Sequence, residues 1–237
     1  MQDVPGCQND KAELSNLPAE TKGMPPEYNT EIIFADEAIV VVGKPGGLLA
    51  VPGRGPDKQD CVAARLRRLF PAMIDQPAVH RLDMYTSGLM VFAVTAEAHK
   101  VLSRQFENRL VDKRYTAILE GAVAGINGEI RLPFRLDPDN RPLQIYDPLH
   151  GKLGITLWQK VAVEGQNTRI IFTPLTGRTH QLRVHAAHPL GLAAPIVGDS
   201  LYGTGIDGDQ LCLHATFLQF HHPLTGKALQ FHSKPPF

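Results

Sequence analysis

Cysteine is scarce in this chain: three residues in 237, Cys7, Cys61 and Cys212, far apart and odd in number. They support neither a disulfide framework nor a cysteine-based zinc site. No uninterrupted apolar run approaches the roughly 20 residues of a membrane-spanning helix. The start, Met1-Gln2-Asp3-Val4-Pro5-Gly6, has no basic region and no apolar core, so it does not read as a secretory signal. A cytoplasmic location is the resulting expectation. Net charge is lacking too, since 24 Lys and Arg balance 24 Asp and Glu, with ten His uncounted. That balance argues against a nucleic-acid binder, because phosphate contacts call for a basic surface. The total hides asymmetry, however. The N-terminal portion is acidic, and arginines gather at Arg65, Arg67 and Arg68, at Arg104 and Arg109, and at Arg178 and Arg183. A run such as Arg67-Arg68 reads as a solvated helix face, while a basic stripe on one side stays open.

What is present is an ordinary globular composition, 43% hydrophobic and 20% charged, in a length that suits one large domain. Residues 1–28 are polar, rich in Pro and Gly, and read as a flexible tail; residues 29–237 read as one domain without internal repeats. Ile32-Ile33-Phe34 and Ile39-Val40-Val41-Val42 form a hairpin-like pair around Asp36-Glu37, and Lys44-Pro45-Gly46-Gly47 is a loop. Val62, Leu66 and Leu69 recur at helical spacing, which predicts a helix over 60–70 closed by Pro71. Thr95 is placed to cap a helix carrying Ala98, Val101, Leu102 and Phe106. Strands are expected at 89–94, 115–119, 129–132, 156–163, 169–173, 217–220 and 228–231, with a short helix over 182–187. The elements do not alternate as βαβ, so the expected class is α+β: a large mixed or mainly antiparallel sheet, a central cleft and flanking helices.

The segment most suggestive of chemistry is His80-Arg81-Leu82-Asp83-Met84-Tyr85-Thr86-Ser87-Gly88. It places one carboxylate between cationic side chains and a turn, directly ahead of the apolar run Leu89–Val94. A carboxylate in such a place is costly unless paired, so a distant partner is expected for Asp83. Three other segments stand out: Asp112-Lys113-Arg114-Tyr115, Thr176 to His185, and Pro195 to Gly203. Taken singly, each has a plain structural explanation. Tyr115 suits a half-buried strand position, and Asp199 after Gly198 suits a turn or helix cap. His180, His185 and His188 lack a fourth ligand and read as hydrogen-bonded histidines rather than a metal site.

In combination these segments are far more specific. The chain from about residue 31 resembles the RluA family of RNA pseudouridine synthases. The resemblance rests on Val41 to Leu48, on His80-Arg81-Leu82-Asp83 with Thr86-Ser87-Gly88, and on Lys113-Arg114-Tyr115. It continues through Gly177 to His185, Gly198-Asp199 with Tyr202-Gly203, and His214-Ala215 with His222 to Gly226. Val51-Pro52-Gly53 and Asp83-Met84 look most like the compact branch without an N-terminal RNA-binding module, which acts on tRNA and 23S rRNA. Family members usually read Gly-His-Pro before Ile-Val-Gly-Asp, whereas this chain has a longer stretch, His188 to Pro195, with Ala194 in the place of the His. That departure is expected to alter a loop near the cleft and hence substrate choice.

The resemblance implies isomerisation of uridine to pseudouridine within structured RNA, with no metal or organic cofactor. It implies Asp83 as the nucleophile, Arg183 as the cation paired with it, and Tyr115 as the aromatic stacked on the target base. It places Arg81 in the gap left by the flipped nucleotide and makes Lys113, Arg178 and His80 further RNA contacts. RNA is the expected partner, not DNA or membrane, and the chain is expected to be a monomer. Competing classes are an inactive RNA binder, a histidine-metal hydrolase built on His180, His185 and His188, and a scaffold. The last gives no reason for an acid at Asp83.

Overall fold

The computed structural model describes residues 30–237. The tail expected at 1–28 lies outside the described residues. Ten strands and three α-helices follow in order: β1 Glu31–Ala35, β2 Ile39–Lys44, α1 Val62–Leu69, β3 Ser87–Ala93, α2 Ala96–Glu107, β4 Asp112–Leu119, β5 Asn127–Leu136, β6 Gln144–Tyr146, β7 Lys152–Glu164, β8 Asn167–Pro174, α3 Gln181–Ala187, β9 Leu213–His221 and β10 Ala228–His232. The strands form a single mixed sheet in the order β1-β2-β3-β9-β4-β8-β7-β5-β6, with β10 paired to β9. The expected α+β class is therefore what forms. Every pairing is antiparallel except β3 with β9, which run parallel over two residue pairs.

Strand β3 shows why its sequence is apolar throughout. All seven residues are buried, because successive side chains enter opposite faces and both faces are covered. Met90 and Phe92 join a core with Val62 and Leu66 of α1. Leu89 and Val91 join another with Ala98 and Leu102 of α2. A third core lies under β4, β5, β8 and α3, with Phe134, Phe172 and Ile170 at its centre.

Both long helices begin at side-chain caps. The Thr95 hydroxyl accepts the Ala98 N–H at 3.2 Å, and the Cys61 thiol accepts the Ala64 N–H at 3.4 Å. Helix α2 is then fastened to the sheet by Gln105. Its amide donates to the His221 carbonyl at 2.7 Å and accepts the His221 N–H at 2.8 Å, as a neighbouring strand would. Glycine is required at Gly88, where φ is +110° and an added Cβ would lie 2.4 Å from the Ala215 carbonyl oxygen. This close approach is what lets β3 and β9 meet.

Candidate active site

A cleft of about 770 Å³ opens beside the β3–β9 junction. It is walled by residues 79–83, the C-terminal half of α2, the start of β4, residues 173–179 from the end of β8 onward, and the first turn of α3. Asp83, Tyr115 and Arg183 all line it, as do Arg81, Lys113, Arg178 and His80. Residues scattered over a hundred positions of sequence thus converge on one hollow.

The loop carrying Asp83 is fastened on either side of that residue. The Met84 carbonyl accepts the Lys44 ammonium at 2.8 Å and the Gly47 N–H at 3.0 Å. Lys44 Nζ also donates to the carbonyls of Pro45 at 2.8 Å and Leu48 at 2.7 Å, so its three N–H donors are all used. Its side chain is buried. Burial pulls the Lys44 pKa down to about 7, with the Asp83 charge working the other way. The Tyr85 hydroxyl donates to Asp207. By contrast, no hydrogen bond or ion pair among the described residues engages the half-buried Asp83 carboxylate.

The expected direct pairing of Arg183 with Asp83 is therefore corrected. Arg183 makes a two-pronged bond to Asp199, Nε to Oδ2 at 2.8 Å and Nη2 to Oδ1 at 2.6 Å. Arg183 is 3% and Asp199 0% exposed. Asp199 Oδ1 accepts the Leu201 and Tyr202 N–H groups as well. Asp199 does build a turn, as its sequence context suggests, but it is also the ion-pair partner of the cleft arginine. The physical reason is depth: a guanidinium this buried needs a carboxylate in bonding contact. Burial works against the charged form of Arg183, but the hydrogen bonds and charge of Asp199 outweigh it, and Asp83 adds to them. The positive charge thus faces Asp83 across the cleft without touching it.

Tyr115 sits in β4 opposite Phe172 of β8 and Ala215 of β9, at a register shift that follows Arg114. Burial raises its phenol pKa far above the usual range, and the Asp83 charge raises it further. The hydroxyl therefore stays protonated, and the ring presents a neutral face to the cleft. Arg81 and Arg178 are exposed at the cleft edge. Lys113 reaches over the Phe106 ring at 5.6 Å.

His80 is turned into the fold. Its Nε2 accepts the Val91 N–H at 3.1 Å, and its ring stacks on Phe106 at 4.5 Å. Burial, with the Lys113 charge beside it, lowers its pKa to about 3. A neutral ring engaged in this way is an internal brace in the cleft wall and brings no positive charge to it. The three histidines of the hydrolase alternative do not converge. His180 bonds the Tyr202 hydroxyl at 2.9 Å, and His188 accepts the Leu190 N–H at 3.1 Å. His185 has neither ring nitrogen bonded, contrary to the expectation of a hydrogen-bonded histidine. No group of three metal-ligating side chains is found among the described residues. The stretch 188–195 does not line the cleft either; Ala194 is buried in the core under α3. Its departure from the family pattern therefore lies away from the cleft wall.

Sequence reasoning did not single out Lys44 or the Asp199 pairing. A lysine closing a β-branched strand was the only signal for the first. Nor did sequence reasoning single out the glutamine beside His180. Gln181 ties the loop before α3 to β7, with its amide donating to the Ile155 carbonyl and Thr156 hydroxyl while accepting from Thr176 and the Arg178 N–H.

Such a sheet, with one carboxylate held open to a polar cleft, fits an α+β enzyme domain, and comparison with known proteins gives its class. Residues 38–188 match the family model described as RNA pseudouridylate synthase. Among solved structures, human RNA pseudouridylate synthase domain containing 1 superposes with a TM-score of 0.71 at 27% identity, covering 90% of this chain and 87% of that one. Domain containing 4 of the same human series gives a TM-score of 0.68 at 24% identity, covering 87% and 88%, a likeness of fold. The dual-specificity RNA pseudouridine synthase RluA of Haemophilus influenzae is 41% identical over 217 residues, 90% of this chain and 96% of the relative. The RluA of Escherichia coli is 39% identical over 222 residues, 92% and 99%. The chain belongs to the RluA family of RNA pseudouridine synthases, isomerases whose substrate is RNA.

Proposed function

We propose that the protein isomerises specific uridines of tRNA, 23S rRNA or both, with Asp83 as the nucleophile acting on a flipped-out nucleotide. The dual-specificity name of its RluA relatives supports the RNA targets. The observation that carries the mechanism is the Asp83 carboxylate, which lines the cleft and is engaged by no hydrogen bond or ion pair among the described residues, while the buried Arg183 is held by Asp199. A nucleophile needs an ionised oxygen with no competing bond. The buried Arg183 is bonded by Asp199 rather than by Asp83, so the Asp83 oxygens are left to the substrate.

In this reading the target uridine leaves its stack and enters the cleft. Tyr115 stacks on the base, a contact worth roughly 1–3 kcal/mol. Arg81 takes the vacated place, and Lys113 and Arg178 hold flanking phosphates. Asp83 then adds to the nucleotide through one carboxylate oxygen, the C1′–N1 bond breaks, and the uracil turns within the pocket; the bond to Asp83 breaks again before product leaves, which regenerates the carboxylate. A bond forms from C1′ to C5, the C5 proton leaves to solvent, and N1 gains a proton. The conversion is redox-neutral, and no cofactor is assigned to it. The protein acts as a monomer in the cytoplasm.

Incubating the purified protein with tRNA or 23S rRNA fragments carrying tritium at uracil C5 tests the reading. Stoichiometric tritium release at discrete uridines is expected. Tight binding of these RNAs with no release would identify an inactive RNA binder instead.

A further inference from the structure

The sheet is joined at one narrow seam. Strands β3 and β9 share only the pairs Ser87–His214 and Gly88–Ala215. Asp83 lies on the β3 side of that seam. Tyr115, on β4, lies on the other side with Arg183. Any slip at the seam changes the distance from the carboxylate to both. Two residue pairs are a weak hinge for a site that must hold its groups within fractions of an ångström.

A chain of hydrogen bonds, buried at Ser87 and His214 and reaching the surface at its far end, reinforces it. Ser87 Oγ lies 2.8 Å from His214 Nδ1, and His214 Nε2 lies 2.9 Å from Ser233 Oγ. Ser233, just beyond β10, donates its N–H to the Thr216 carbonyl at 3.0 Å. The Thr216 hydroxyl in turn donates to the Arg114 carbonyl at 3.2 Å. The chain of contacts starts four residues after Asp83, crosses the seam through one imidazole, and ends at the residue before Tyr115. A neutral imidazole offers one N–H and one bare nitrogen, and a serine hydroxyl can meet either. The relay is thus fully satisfied in either tautomer. Burial favours that neutral state, drawing the His214 pKa down to about 4. Ser87, His214 and Ser233 do not line the cleft.

We propose that His214 is a positioning residue for the reaction, with Ser87 and Ser233 setting the placement of Asp83 against Tyr115 through the β3–β9 seam. The segment after β10 thereby takes part in catalysis without touching substrate. This rests on the reading of Asp83 as nucleophile.

The two ring nitrogens allow a test by substitution in the full chain. In His214→Asn the side-chain amide occupies the Nδ1 position and keeps the Ser87 contact. In His214→Gln it reaches the Nε2 position, keeping Ser233 and losing Ser87. Misplacement near a reacting centre costs up to about 100-fold in rate. Single-turnover tritium release at saturating RNA is therefore expected to fall about 10- to 100-fold in His214→Gln, with RNA affinity unchanged. His214→Asn is expected to recover most of the rate. Ser233→Ala, a change at a half-buried position, is expected to slow the same step several-fold while the protein stays folded at the assay temperature. Wild-type rates in His214→Gln and Ser233→Ala overturn the proposal. So does loss of rate that tracks loss of RNA binding or of folded protein in all three variants. Asp83→Asn run alongside separates the two claims: an active Asp83→Asn sinks the nucleophile reading, whereas an inactive one beside a full-rate His214→Gln sinks only the relay.

Discussion

Replacing Asp199 by asparagine tests whether the cleft arginine is held by the carboxylate that bonds it. The substitution preserves shape. Its amide oxygen can still accept the Leu201 and Tyr202 N–H groups, which now reach Oδ1 at 2.9 and 3.0 Å. What it cannot keep is the two-pronged bond to Arg183, because an amide N–H would face a guanidinium N–H. Arg183 is then a guanidinium 3% exposed with no anion in bonding contact. Breaking one side of a buried pair costs about 3–5 kcal/mol. For a domain of this length each kcal/mol moves the melting temperature by about 2–4 °C, so Tm is expected to fall by about 10 °C. Activity should fall further than stability, since Arg183 is then drawn toward the only other acid it senses in the cleft, Asp83. The double variant Arg183→Met with Asp199→Asn removes both charges. It is expected to regain much of the stability and none of the activity. Calorimetry and tritium release on the same preparations provide the comparison. An unchanged Tm in Asp199→Asn, or an active double variant, refutes this account of Arg183.

Three further outcomes follow from the same geometry. Lys44→Met leaves the Met84, Leu48 and Pro45 carbonyls without their ammonium and frees the Asp83 loop, so both Tm and the rate of the chemical step should drop; a stable variant at full rate contradicts the anchoring role. His80, His185 and His214 have pKa values lowered by burial to about 3, 4 and 4. The neutral ring is the native form, so their contribution is complete above the unfolded value near 6.5 and is lost as pH falls toward the folded values, by roughly 1.4 kcal/mol per pH unit for each ring. Urea midpoints between pH 6.5 and 5 should decline steeply, and a flat profile contradicts the neutral assignment. Tyr115→Phe keeps the ring and should keep RNA affinity, whereas Tyr115→Ala should weaken binding by roughly 1–3 kcal/mol; equal affinity in Tyr115→Ala removes the stacking role.

Much of the sheet was legible in the sequence because burial leaves a periodic trace. The β-branched run of β2, the unbroken apolar run of β3 and the helical spacing of α2 each have a single physical solution. Strand β6 was not legible, since its three residues are a strand only through pairing with Phe134 to Leu136. The site residues were recognisable as segments, and the fold gathers them in one cleft. Their partners were not. Asp83 and Asp199 both sit in polar loops, and nothing local says which one a distant arginine will bond. His80 looked like a cation beside Arg81, yet its ring is spent on the Val91 amide. Lys44 looked like the polar end of a strand, yet it is buried among three carbonyls. In each case the deciding fact is depth below the surface, which depends on segments remote in sequence.

The most direct measurement is a single-turnover assay of Asp83→Asn on C5-tritiated RNA at saturating protein. The amide is isosteric and uncharged, so RNA should still bind with near wild-type affinity while tritium release and pseudouridine formation disappear. Release at an undiminished rate would contradict the central claim that the Asp83 carboxylate carries the reaction.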